Sequence, residues 1–113
     1  MIERAKKLAE VLKKHGVEYL FIGKFAAILY GYPGTTQDID IFPSKEKSNC
    51  VNVVKTLKEL GFELNQELEN AILAGKDFIQ IRNGPFPIDL IFAPDGIESF
   101  KDAEENVNVI DET

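Results

Sequence analysis

The chain is short of the residues on which several common chemistries depend. It has one cysteine, Cys50, so no intramolecular disulfide forms and a cysteine-based zinc site is excluded. It has one histidine, His15, which leaves no second imidazole for a histidine metal site or a histidine pair. No apolar run approaches the length required to cross a bilayer. The opening segment, MIERAKKLAEVLKK, carries charge throughout and lacks the apolar core of a signal peptide; the expected location is cytoplasmic. Basic residues are outnumbered, 13 against 19, for a net charge of −6. That balance disfavours sequence-independent nucleic-acid binding, which draws on clustered Lys and Arg, and suits a protein that gathers carboxylates around a cation.

A length of 113 residues accommodates one domain and one core, so residues 1–113 are read as a single unit. Ile2, Ala5, Leu8, Ala9 and Leu12 recur at three and four residues and predict a first helix, closed at His15-Gly16, with His15 at the negative end of the helix dipole. Val17 to Ile22 is an apolar run rich in β-formers and predicts a strand. Gly23 breaks it, Lys24 to Tyr30 predicts a short helix, and Tyr32-Pro33-Gly34 a tight turn. Asp38 to Phe42 reads as the next strand. Ser44 is the expected cap of a helix over Lys45 to Leu60, in which Cys50 shares a stripe with Val53, Val54, Leu57 and Leu60 and is read as a core thiol. A short strand is expected at Phe62 to Leu64, a helical turn or loop over 65–75, and an antiparallel hairpin from Phe78 to Arg82 and Pro87 to Phe92. Beyond it come a turn at Ala93 to Gly96, a short helix near Ser99 to Glu104 and a strand at Val107 to Ile110. Early alternation of helices and strands followed by a hairpin implies an α/β (α+β) fold, a mixed sheet with helices packed against it.

The chemically informative stretch runs from Ile22 to Ile41. Side chains alternate along a strand, so Asp38 and Asp40 face the same way. Two like charges on one face invite a hard divalent cation with oxygen ligands; a solvated strand face is the plainer alternative. The junction at Gly23 and Lys24, strand to glycine to helix, presents free backbone N–H groups, which favour an anion, and a glycine admits close approach of a phosphate. As a plain turn, Gly23 would carry no such meaning. Phosphate and metal together are what phosphoryl or nucleotidyl transfer requires. Asp89 interrupts the apolar strand Pro87 to Phe92, where an unpaired charge is costly; a metal ligand and an ion pair with Arg82 or Lys24 both account for it. Arg82 and Lys76 are read as solvated surface cations before any supporting role.

The segment from Val17 to Phe42, with Gly23, Ala26, Gly31, Thr36, Asp38 and Asp40, resembles the signature of the polymerase-beta-like nucleotidyltransferase superfamily. The likeness is to its small prokaryotic members, the minimal and abortive-infection toxin nucleotidyltransferases. The strand Pro87 to Phe92 supplies Asp89 in the place of that family's third carboxylate. The resemblance implies a nucleotidyltransferase fold and a metal-dependent enzyme moving an NMP from an NTP to a hydroxyl, with pyrophosphate released. It implies Mg2+ or Mn2+ held by Asp38, Asp40 and Asp89, and NTP phosphates bound at Gly23, Lys24 and Thr36. The acceptor it implies is a tRNA end, a protein side chain or a small molecule. Two positions depart from the pattern. Lys24 stands where Gly or Ser is usual, either to reach a triphosphate oxygen or to neutralise the carboxylates. Gly34 stands where many relatives carry a basic residue. The second reading is therefore a catalytically degenerate domain that binds nucleotide or a partner protein, and a third is the toxin of a toxin–antitoxin pair.

Overall fold

The computed structural model describes residues 2–34 and 38–92. The expectations for Thr36, for the turn at 93–96, for a helix near 99–104 and for a strand at 107–110 lie outside the described residues. Helix α1 spans Ile2–Lys14, strand β1 Tyr19–Ile22, helix α2 Gly23–Leu29 and strand β2 Ile39–Pro43. Helix α3 (Lys47–Glu59), helix α4 (Gln66–Ala74), strand β3 (Phe78–Ile81) and strand β4 (Ile88–Ile91) follow. Among the described residues the strands form one mixed sheet in the order β1-β2-β4-β3. β2 runs antiparallel to β1 and parallel to β4, and β3 and β4 form the expected antiparallel hairpin. The result is a small α+β domain with four helices among the described residues.

Period-two patterning divides the sheet into two unlike faces. Tyr19, Phe21, Ile39, Ile41, Ile79, Ile81, Ile88 and Leu90 are buried in one core with Leu8 and Leu12 of α1, Phe25 of α2, Val53 and Leu57 of α3, and Ile72 of α4. Full burial of a Leu or Ile is worth roughly 1.5–3 kcal/mol, so this face fixes the register: a one-residue slip would turn every one of these side chains outward. The alternate positions, Ile22, Asp40, Asp89 and Gln80, belong to the opposite face, and the core is thereby what aims the carboxylates.

Helix ends explain the accuracy of the helix boundaries. At α1, Gly16 (φ 68°) donates to Lys13 and Val17 to Leu12; at α3, Gly61 donates to Lys58 and Phe62 to Leu57. Both are the paired closing bonds of a Schellman motif. His15 stands at the end of α1 as expected and also meets Glu59, with Nε2 2.9 Å from Oε1.

Three local expectations are corrected. Ser44 does not cap α3. It is buried, its N–H donates to the Glu18 carbonyl, and its Oγ accepts from Glu46 N–H at 3.4 Å. The chain is thus still fastened beside β1 at Ser44, and the helix starts later, with Glu46 at the cap position and no side-chain cap bond. Buried Asn49 completes this junction: Oδ1 accepts from Glu18 N–H at 2.7 Å, and Nδ2 donates to the carbonyls of Glu18 and Ser44 at 3.1 and 2.9 Å. Residues 62–64 are not a strand; Glu63 N–H is bonded to the Asn83 carbonyl without forming a ladder. The ambiguous segment after it is α4, capped by Asn65, whose Oδ1 accepts from Leu68 N–H at 2.7 Å.

Candidate functional site

The site is assembled from one row of residues across the sheet face opposite the main core. Ile22 stands opposite Asp40 across the β1–β2 pair, Asp40 opposite Asp89 across β2–β4, and Gln80 opposite Asp89 across β3–β4. A pair of carboxylates far apart in the chain thus meets on neighbouring strands. Asp89 is buried, Asp40 and Asp38 are half-buried, and Asp38 immediately precedes β2.

Electrostatics record the crowding. Burial pushes the Asp40 carboxyl up to about 6, and the Asp89 charge, the hydrogen bond with Asp89 and the Asp38 charge push the same way, against a smaller opposing pull from Arg82. Desolvation and like charge both disfavour the ionised form, and a divalent cation would relieve both.

Arg82 is the correction at this site. It is not simply a solvated surface cation: Nη1 donates to Asp89 Oδ1 at 2.9 Å and approaches the Ile88 carbonyl at 3.4 Å. Of the two accounts of Asp89, the ion pair with Arg82 is present, and the Arg82 charge also bears weakly on Asp40 beside it. The sequence contained the signal. Arg82 follows Gln80 by two residues, immediately beyond β3, in the hairpin that folds back against Asp89. Lys76 is exposed and lines a groove of about 350 Å³ between α4 and β3, with Asn65, Leu68 and Phe78.

Gly23 acquires a second role. Its φ is +70°, and a Cβ added there would lie 2.5 Å from Asp40 Oδ2. The glycine therefore makes room for the carboxylate itself, in addition to opening α2. The Lys24 side chain is exposed and runs past Gly34, where an added Cβ would stand 3.7 Å from Lys24 Cε. Gly23 thus lies at the end of β1 beside Asp40, and Lys24 follows it in α2; Thr36 is outside the described residues.

The donor set, carboxylate oxygens without sulfur or imidazole, is of the kind hard cations take. Among the described residues no group of three or more His, Cys, Asp or Glu side chains stands assembled to hold a metal ion. Asp40 and Asp89 together offer ligands from two strands, and Mg2+ commonly takes one or two carboxylates and completes its shell with waters and substrate phosphates. In that limited sense the residues fit the ion. Among the described residues no helix is long and apolar enough to cross a membrane. Comparison with family models, curated proteins and solved structures finds no match for this chain.

Proposed function

We propose that this chain is a metal-dependent nucleotidyltransferase of the polymerase-beta-like type, acting at Asp38, Asp40 and Asp89. The observation that carries the reading is the register of Asp40 with Asp89 on adjacent parallel strands, beside the Gly23 junction. Asp40 and Asp89, with Asp38 at the start of β2, would hold Mg2+ or Mn2+. Such an ion supplies charge neutralisation at the triphosphate and at the attacking oxygen. The residues of the chain do the rest. Gly23 and Lys24, at the mouth of α2, present backbone N–H groups and an ammonium to the β- and γ-phosphates, and Thr36 belongs to the same binding segment. Asp89 would take the proton of the acceptor hydroxyl. The bond formed joins the acceptor oxygen to the α-phosphorus; the bond broken is the α–β bridge, and pyrophosphate leaves. The acceptor class is a tRNA end, a protein side chain or a small molecule.

Incubation with each α-labelled NTP, Mg2+ or Mn2+, and total tRNA or lysate tests this. Wild type labels an acceptor and Asp38→Ala/Asp40→Ala does not; equal labelling by both rejects the assignment.

A second reading has its own observation. The Arg82–Asp89 ion pair neutralises one carboxylate internally, as a domain that binds a nucleotide or partner protein without catalysis would tolerate. Titration with a nonhydrolysable ATP separates the two: affinity indifferent to Mg2+ favours the binding domain. A toxin paired with an antitoxin would be a physiological role for the active enzyme, and growth arrest on expression, abolished by the double variant, is its signature.

A further inference from the structure

We propose that Arg82 is a tethered counter-ion of the carboxylate row, bound to Asp89 in the metal-free protein and displaced from it when a divalent cation enters. The inference rests on the metal reading above and assigns a residue to which that reading gives no part.

Arg82 Nη1 lies 2.9 Å from Asp89 Oδ1, and the same nitrogen is 3.4 Å from the Ile88 carbonyl, so the guanidinium is seated beside β4. The two partners differ in exposure: the Asp89 side chain is 11% exposed and that of Arg82 42%. The carboxylate is therefore held by the sheet, whereas the guanidinium reaches water by rotating its own side chain. Around it, the row contributes Ile22 from β1, Asp40 from β2, Asp89 from β4 and Gln80 from β3, with Asp38 close enough to bear on Asp40. Of these, Asp89 pairs with Arg82 directly, and the Arg82 charge also bears on Asp40. A buried carboxylate without a partner is costly, so the 2.9 Å bond from Arg82 holds the Asp89 side chain in place when no metal is present. The same bond occupies an oxygen that a metal would use. Arg82 is thus a positioning residue that competes with the metal, and it sets the cation concentration at which Asp89 becomes a ligand.

Mn2+ alone, titrated into the full chain at neutral pH and followed by the loss of the free-ion electron paramagnetic resonance signal, tests this without any activity measurement. Arg82→Met should bind Mn2+ roughly tenfold more tightly than wild type, as expected for removing one unit charge a few ångström from the ion at a partly solvated site. Arg82→Lys, which keeps the charge, should stay near wild type. The gain should vanish in an Asp89→Asn background, because coupled residues are not additive. Unchanged or weaker binding by Arg82→Met, with Asp40→Ala still abolishing binding, overturns the counter-ion role and leaves the metal site standing. Wild-type Mn2+ affinity in Asp40→Ala, or no binding by any form, overturns the metal reading and this inference with it. Circular dichroism confirms that each variant is folded, and if Arg82→Met does not fold, Arg82→Gln gives the same comparison.

Discussion

Asp40 of β2 stands directly opposite Asp89 of β4 in a parallel pair, and a Cβ on Gly23 would collide with the Asp40 carboxylate from the other side. Asp40 thus lies between a second acid and a backbone position whose φ of +70° favours glycine. Such an arrangement opposes the charge on Asp40, and its consequences are measurable.

The first concerns pH. Asp40 has a folded-state value of about 6, raised from 3.8. The native state then holds a proton that the unfolded chain has released, so stability falls as pH rises from about 4 to about 6 and is level above that. Asp40→Asn should stabilise the metal-free protein on the order of 1–2 kcal/mol at pH 8, a figure already discounted for partial solvation, and have little effect at pH 4. Urea denaturation in chelator at the two pH values checks this. A gain of the same size at both would show that charge is not the cause.

Gly23→Ala should be more costly than Gly16→Ala. Both positions have positive φ, but nothing lies within 4 Å of a Cβ at Gly16, whereas at Gly23 it meets Asp40 Oδ2. Strain alone at Gly16 should cost about 1 kcal/mol, and the clash at Gly23 should add about 1–2 kcal/mol. Removing the carboxylate with Asp40→Ala should bring the Gly23→Ala cost down to that of Gly16→Ala. Denaturant midpoints for the four variants test the relation.

Asn49→Ala should destabilise by roughly 1–3 kcal/mol, because it strips hydrogen bonds from buried and part-buried backbone groups at once. The Glu18 amide and the Ser44 carbonyl lose their Asn49 partners, while the Glu18 carbonyl keeps its bond from Ser44 N–H. Asn49→Asp should be at least as damaging at neutral pH, since it replaces the donor facing two carbonyls with a carboxylate oxygen. Chemical denaturation measures both.

Cys50 should be inert in the native protein. It is fully buried, and burial pushes its thiol above the ordinary value; the thiolate is the reactive form. A disulfide reagent such as DTNB at pH 8 should titrate no thiol in the folded chain and one per molecule in urea. Prompt native-state labelling would place the α3 core stripe at the surface.

Features of local origin were legible from residue order. The helices α1 and α3 follow their apolar spacing and stop at Gly16 and Gly61, because a left-handed closing residue depends on its immediate neighbours. The alternation that sets Asp40 against Ile39 and Ile41, and Asp89 against Ile88 and Leu90, is equally local, and so is the hairpin. The exceptions among short segments are instructive. Ser44 has the chemistry of a cap but is held by Glu18, and residues 62–64 have strand composition but are used otherwise: Phe62 N–H closes α3 on Leu57 and Glu63 N–H bonds to Asn83.

Residue order alone identified the acids Asp38, Asp40 and Asp89, and the glycine that precedes them, because charge in an apolar strand is conspicuous wherever it occurs. It left open which strands would be neighbours, and therefore which acid faces which. Strand pairing is set by how the two apolar faces of distant segments bury one core, a property of the whole chain. The insertion of β4 between β2 and β3 brings Asp89 to Asp40 and Arg82 to Asp89. Tertiary packing thus settled the partner of Asp89, and it converted Gly23 from a turn residue into the neighbour that makes room for Asp40.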